Sequence, residues 1–305
     1  MDTPFAHVRS RRAIRVLAAC LTLSGTLSLA ACGGSSHQTS KATGQVDSRL
    51  HDLLPSAIKK SGTLTVATGK DYPPLVSLGS DNKTLVGLEP DLIKAIGGVL
   101  GVKVQLTPAS FDSLIAGVQS RRFNVAIEAM LDKPERRQAV TFVDYFKTSS
   151  SILTDQKHAD TISSLDSLCG TSVGVEQGTA QVDDVQTQNR VCADSKRPGI
   201  NVLTFPNSVD CFQALSTGRV DAFVGGTPTI AHQADNSDGR FKQVGTPYRF
   251  LPYGILINKD DGPLVQAVQQ ALQKLVDNGE YGKLLVKWKL ESGNIGSATV
   301  NGGQQ

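Results

Sequence analysis

The chain has 305 residues, 39% hydrophobic and 19% charged, which excludes a fibrous or wholly disordered protein and leaves room for about two domains. Its formal charge of +3 is unevenly placed, because Arg9, Arg11, Arg12, Arg15 and the single acid Asp2 all precede residue 32. Without them 27 basic and 27 acidic residues remain (31 less four, 28 less one), and so balanced a body excludes nucleic acid as the expected partner.

Residues 9–15 are basic and residues 16–31 form an apolar run with small residues. The run is shorter than the roughly 20 apolar residues that span a bilayer and fits the apolar region of an export signal. It ends in Leu29-Ala30-Ala31-Cys32-Gly33, which resembles the bacterial lipobox, where cleavage before the cysteine frees a thiol for diacylglycerol. The expectation is a signal over 1–31, lipidation at Cys32 and a protein held by lipid on the extracytoplasmic face of the membrane. A plain secretory signal is the alternative. Residues 33–48, rich in Gly, Ser, Thr and Gln, read as a tether, so 32–60 is expected to be a flexible linker.

The body follows in two similar runs. Residues 64–68 read as a strand, 91–100 as a helix ending at Gly101, and 102–106 as a second strand. Phe111, Leu114, Ile115 and Val118 recur at helical spacing over 110–120, with Ser110 able to cap, and 125–129 is a third strand. The order repeats with a strand at 172–175, a helix at 180–190, a strand at 202–205, a helix at 209–217 and a strand at 222–224. Strands alternating with helices predict parallel sheets, and two such units predict an α/β protein of two lobes with a cleft between them. Ligands of such sheets sit beyond the carboxyl ends of the strands, here just after residues 68, 129, 175 and 224. Amphipathic helices at 264–277 and 281–288 close the body, and 292–305 is expected to be a disordered tail.

Cys169 precedes a strand and Cys192 follows a helical stretch, and export favours disulfides. A Cys169–Cys192 bridge is expected, leaving Cys211 as a buried thiol. Pairings with Cys211 stay open. No CxxC or histidine spacing suggests a metal site, and no cofactor is expected.

Eight motifs stand in order: Leu64-Thr-Val-Ala-Thr-Gly-Lys-Asp-Tyr-Pro-Pro74, Gly87-Leu-Glu-Pro-Asp-Leu92, Phe111-Asp-Ser-Leu-Ile-Ala116, Pro134-Glu-Arg-Arg-Gln138, Val140-Thr-Phe-Val-Asp-Tyr145, Val173-Gly-Val-Glu-Gln-Gly-Thr179, Gly218-Arg-Val-Asp-Ala222 and Tyr253-Gly-Ile255. From Leu64 to about Leu290 the chain resembles the bacterial extracellular solute-binding proteins of family 3, the polar-amino-acid receptors of ABC importers. The resemblance implies a two-lobed periplasmic-binding-protein-like fold of type II. Lobe 1 would comprise 61–152 plus 250–291 and lobe 2 would comprise 153–249, with crossovers near 149–154 and 245–253. It also implies a monomer that closes around a small solute and hands it to a permease, with no catalytic duty.

The resemblance places Arg136 as the grip on a ligand carboxylate, for which a guanidinium fork is suited. It places Gly178, Thr179 and Ala180 as a helix N-terminus aiding that grip, and Tyr72 and Phe111 as walls. Aspartates that hold a ligand ammonium in the family fall here on Gly69 and Gly226, beside Thr227, and hydroxyl positions fall on Ala129 and Leu131. Nearby acids, Asp71, Glu128, Asp132 and Glu176, are the candidates to replace the missing charge, Glu176 first. Otherwise the ligand lacks an α-ammonium. A same-fold lyase resembling cyclohexadienyl dehydratase, using Glu128 and Glu176 as acid and base, and a ligand sensor are the alternatives.

Overall fold

The computed structural model describes residues 46–303. The expected signal, Cys32 and the first part of the linker lie outside the described residues.

The chain opens with two short helices, α1 (Ser48–Leu53) and α2 (Ser56–Ser61). Asp47 caps α1 by accepting from the N–H groups of Arg49 and Leu50, and its carboxylate also takes the Lys274 ammonium at 3.0 Å. Leu50, Leu54 and Ile58 then enter the main core. The expected linker is thus corrected over 46–60: three apolar residues spaced by four, placed in a polar context, are enough to dock this segment.

Strand β1 (Thr63–Thr68) leads to a small three-stranded sheet of β2 (Asp71–Tyr72), β3 (Val76–Leu78) and β4 (Leu85–Val86). Helix α3 (Leu88–Leu100), strand β5 (Lys103–Pro108), helix α4 (Leu114–Gln119), strand β6 (Val125–Ala126) and the single turn α5 (Pro134–Arg137) complete the first run. A 3-10 turn over Phe111–Ser113 precedes α4, and Ser110 makes no side-chain cap; its carbonyl instead accepts from the Ser113 hydroxyl. Then come β7 (Val140–Asp155), β8 (Ser172–Glu176), α6 (Ala180–Asp194), β9 (Asn201–Phe205), α7 (Ser208–Ser216), β10 (Ala222–Gly226), α8 (Thr227–Asp235) and β11 (Phe241–Asn258). Helices α9 (Gly262–Asp277) and α10 (Glu280–Trp288) and strand β12 (Thr299–Val300) end the described chain. In α9, Leu264, Ala267, Val268, Ala271, Leu272 and Leu275 are buried at helical spacing, so one apolar stripe fixes the helix on the core.

The strands follow the order β5-β1-β6-β11-β7-β10-β8-β9. On one side β1 pairs in parallel with β5 and β6; on the other β8 pairs in parallel with β9 and β10. The two long antiparallel strands β7 and β11 run through both halves, and their register breaks between Val244 and Tyr248 and again between Tyr248 and Leu251. Separate apolar clusters fill the halves. One gathers around Leu64, Leu92 and Leu272, another around Val173, Val175 and Val224. This is the two-lobed α/β architecture expected from the motifs.

Cys169 and Cys192 are disulfide-bonded with Cα atoms 5.7 Å apart, tying the start of β8 to α6, and Cys211 is a buried free thiol.

The expected disordered tail is corrected. Ile295 and Ala298 are buried, and Ala298 exchanges hydrogen bonds with Gln269 and Gln273. Strand β12 pairs with β7 at Asp144 and Val143. The Gly302 N–H donates to Asp144 and the Gly303 N–H to Asp132. A few anchors and many backbone hydrogen bonds hold a segment whose composition is polar.

Candidate functional site

The carboxyl ends of β1, β6, β8 and β10 converge where the halves meet. Segments after these strands hydrogen-bond across the junction. The Gly226 N–H donates to the Tyr72 hydroxyl at 3.1 Å, Thr229 donates to the Pro73 carbonyl at 2.9 Å, and Gln177 donates to Asp112 at 3.1 Å. Lys133 pairs with Asp183 at 3.1 Å. The halves approach so closely that a cavity of about 10 Å³ remains, lined by Tyr72, Phe111, Ala129, Leu131, Arg136, Thr179, Ala180, Gln181 and Tyr253. That is about the space of one water molecule.

Arg136, on the turn α5, lies over the Phe111 ring with its guanidinium carbon 5.6 Å from the ring centre. Its two terminal nitrogens donate at 3.0 Å each to the Leu131 carbonyl of one half and the Gly178 carbonyl of the other. Burial pulls its pKa down to about 10, so it stays a cation at neutral pH. Opposite it begins α6. Thr179 turns its hydroxyl back to the Glu176 carbonyl and makes no side-chain cap, so the first N–H groups of α6 are left for another acceptor. A guanidinium and a helix N-terminus from opposite halves thus border one cavity.

Two glycines decide what else fits. A Cβ on Gly226 would lie 2.1 Å from the Tyr253 hydroxyl and 2.5 Å from that of Tyr72, so two buried tyrosines fill the space beside it. A Cβ on Gly69 would lie 1.6 Å from Oε1 of Glu128. Glu128 and Glu176 are 5% and 4% exposed, and Oε2 of each is buried without a partner. Burial, then the charges of Asp71 and Asp112, pushes Glu176 up to about 8. Burial, then the charges of Glu176, Glu89 and Asp71, drives Glu128 well above the usual carboxylate range. Neither glutamate lines the residual cavity itself.

Of the residues expected from sequence, Tyr72, Phe111, Ala129, Leu131, Arg136, Thr179 and Ala180 line the cavity, and Gly178 and Gly226 shape it. Asp71 sits beside them on β2, its carbonyl taking the Ser208 hydroxyl at 2.5 Å. Two expectations are corrected. Asp132 has one oxygen on Arg137 at 2.6 Å and the other on Arg137 and Gly303, so it braces the loop and leaves no acceptor for a solute. Thr227 bonds Ser149 and Ser151 at 2.7 Å each and lines a separate groove of about 780 Å³ bounded by Pro73, Phe146, Phe250 and Trp288. Sequence reasoning missed Gln181 and Tyr253 as lining residues. Both lay within reach, one right after Gly178-Thr179-Ala180 and the other inside the Tyr253-Gly-Ile255 motif. Among the described residues no helix is long and apolar enough to cross a membrane.

Fold and site together define a two-lobed solute-binding protein. Residues 64–291 match the family model of the bacterial extracellular solute-binding proteins, family 3, and the chain belongs to that family. It is 29% identical over 253 residues to the arginine-binding protein ArgT of Corynebacterium glutamicum, covering 82% of this chain and 81% of that one. It is 27% identical over 236 residues to the L-cystine-binding protein TcyJ of Escherichia coli, covering 77% and 85%. An ancestral arginine-binding protein solved with arginine superposes with a TM-score of 0.68 at 34% identity, over 74% of this chain and 98% of that one. An ancestral amino-acid-binding protein, described as a precursor of cyclohexadienyl dehydratase, gives 0.66 at 31% identity over 76% and 97%. The chain is thus an extracytoplasmic solute-binding protein.

Proposed function

We propose that this protein captures an α-amino acid between its lobes, holds the α-carboxylate between Arg136 and the N-terminus of α6, and releases it unchanged to an ABC permease. The observation that carries this reading is the convergence of those two anion-binding groups, one from each lobe, on a single cavity. A carboxylate entering there would replace the Leu131 and Gly178 carbonyls as the acceptor of the Arg136 fork, a stronger, charge-assisted pairing. It would also link the lobes through one ligand, which is what drives hinge closure. The hinge is assigned to the two stretches of β7 and β11 around Ser149 and Tyr248, where the register breaks. Tyr72, Phe111, Ala129, Leu131, Ala180 and Tyr253 form the walls. The similarity to arginine-binding proteins makes arginine the first solute to test. Lipidation of Cys32 would keep the receptor near its permease; intact-mass measurement of the membrane fraction, with Cys32→Ser as control, tests the anchor.

The test of the carboxylate grip is calorimetric titration of the exported chain carrying Cys32→Ser with amino acids and their decarboxylated analogues. Amino acids are expected to bind, decarboxylated analogues to bind at least 10-fold more weakly, and Arg136→Ala to erase the difference. Equal affinity for both sets would show that the carboxylate is not what the cavity holds, and any product formed during incubation would show an enzyme.

A further inference from the structure

Glu128 and Glu176 share an unusual situation: each is almost fully buried, each has an oxygen with no partner, and they come from opposite lobes. Glu128 follows β6 and Glu176 ends β8, so closure brings two unpaired carboxyls together, near enough to repel each other. A buried carboxylate without a partner is costly, several kcal/mol in order of magnitude, and the cost is removed by a proton or by a cation. Among the described residues no side-chain cation pairs with either carboxyl oxygen left without a partner. The two ends of the Arg136 fork rest on backbone carbonyls, and Lys133 is paired with Asp183. The third acid nearby, Glu89, differs in that one oxygen takes both the Tyr145 hydroxyl at 2.5 Å and the Ala129 N–H at 2.7 Å, although its other oxygen is also buried without a partner. Among the described residues no three acids, cysteines or histidines converge as a metal ion requires.

Gly69 is the second, independent sign that the acid is built in. The Glu128 carboxyl occupies the volume that any side chain at position 69 would need, with its Cδ only 2.3 Å from the ideal Cβ. Gly69 directly follows β1, which pairs in parallel on both sides, so a side chain at 69 would be admitted by moving the Glu128 carboxyl out of this place. Gly69 and Glu128 are therefore a matched pair: the bare glycine makes the acid's seat.

We propose that Glu128 and Glu176 form the cation subsite of this receptor, closing from opposite lobes on an ammonium or guanidinium group, with Gly69 as the residue that makes the subsite possible. The inference rests on the receptor reading above and adds the charge class of the solute: an amino acid whose positive charge is essential, with neutral isosteres rejected. Rejection follows from the same physics, because a neutral group leaves both carboxyls to take up protons or stay unpaired.

The test is titration calorimetry with arginine, its neutral isostere citrulline and putrescine against the native chain, Glu128→Gln, Glu176→Gln, Gly69→Asp and the double variant Gly69→Asp/Glu128→Ser. Arginine is expected to bind the native protein at least 10-fold more tightly than citrulline. Each Gln variant, folded by its melting midpoint, is expected to lose at least 10-fold for arginine and to narrow the gap to citrulline. Gly69→Asp is expected to lose binding, and the double variant to recover part of it, because the carboxyl collision is removed. Equal binding of arginine and citrulline, or no change in either Gln variant, would overturn the cation subsite while leaving the receptor reading intact. Putrescine binding that is lost in Glu128→Gln, with no amino acid bound, would keep the subsite and overturn the carboxylate grip. No binding by any of the three solutes would overturn both.

Discussion

Gly226 has no side chain, yet it makes one of the contacts between the two lobes. Its N–H donates to the Tyr72 hydroxyl, and its missing Cβ leaves room for the Tyr253 hydroxyl. Tyr253 is almost wholly buried, so its ring cannot swing aside to admit a methyl group. Gly226→Ala is expected to leave each lobe folded but to stop them closing. Affinity should fall at least 10-fold, and small-angle scattering should show no contraction on adding ligand. An unchanged affinity would mean that the tyrosines can repack. Phe111→Ala is a second probe at this scale. It removes the face on which Arg136 lies at 5.6 Å, a cation–π contact of about 0.5–2 kcal/mol. Binding should weaken roughly 3- to 30-fold, with a smaller effect on a ligand lacking a carboxylate. These two positions also show what sequence can and cannot convey. Arg136, Tyr72 and Phe111 were legible because each sits in a motif whose chemistry is local. That Gly69 seats Glu128, 59 positions further on, was not legible, since only folding makes a missing side chain and a distant carboxyl share one volume.

Elements were legible wherever a stripe of apolar residues dictated them. The strand-helix alternation, the disulfide from β8 to α6 and the closing helices all follow from patterns longer than one turn. The ends of the body were not, because 46–60 and 292–303 carry isolated apolar anchors in polar surroundings. The tail shows how such a segment is fixed. Ile295 and Ala298 are buried, β12 extends the sheet, and Gly302 and Gly303 donate to Asp144 and Asp132. Asp132 in turn holds Arg137, next to Arg136, so the tail braces the loop that presents the ligand grip. Ile295→Ala is expected to cost about 2 kcal/mol, the low end for a buried Ile truncation at a site near the surface. At this chain size that lowers the melting midpoint by about 4–8 °C. Removing residues 299–305 should further weaken amino-acid binding, which a purely remote stabilising strap would leave alone once the protein is folded. The disulfide belongs to the same scale. It closes a loop of 23 residues, for which chain-entropy arguments give about 3 kcal/mol. Reduction should lower the stability of the second lobe without preventing the bridge-free first lobe from folding, and tryptophan fluorescence of Trp288 against far-ultraviolet circular dichroism would separate the two transitions.

The closed molecule concentrates acids where water is excluded, and that makes its stability depend on pH in a definite direction. Burial holds Glu176 up to about 8 and Glu89 up to about 7 against an ordinary value of 4.5, and likewise holds Glu128 well above that ordinary value. Burial, with Asp132 beside it, holds Asp144 up to about 7. A carboxyl whose pKa is higher in the folded than in the unfolded chain binds more protons when folded between the two values, so its stabilising effect is greatest at low pH and is lost as pH rises. The charges facing Glu128 are Glu176, Glu89 and Asp71, and those facing Glu176 are Asp71 and Asp112, all acidic, so none reverses the direction. His232 opposes it, since burial lowers its pKa and its protonation below about pH 6.5 disfavours the folded state, but it is one group against four. The solute-free protein is therefore expected to melt at a higher temperature near pH 5.5 than near pH 8. Binding of a cationic solute reverses the balance, because the cation must displace protons from Glu128 and Glu176. Affinity should rise across the same interval, by up to about tenfold per pH unit for each proton released. Melting curves at both pH values, with and without arginine, and calorimetry in buffers of differing ionisation enthalpy, measure both effects. Glu176→Gln should flatten the two slopes together. If the solute-free midpoint is instead higher near pH 8, the buried acids are already neutralised within the protein, and the charge that closes this cleft does not come from the solute.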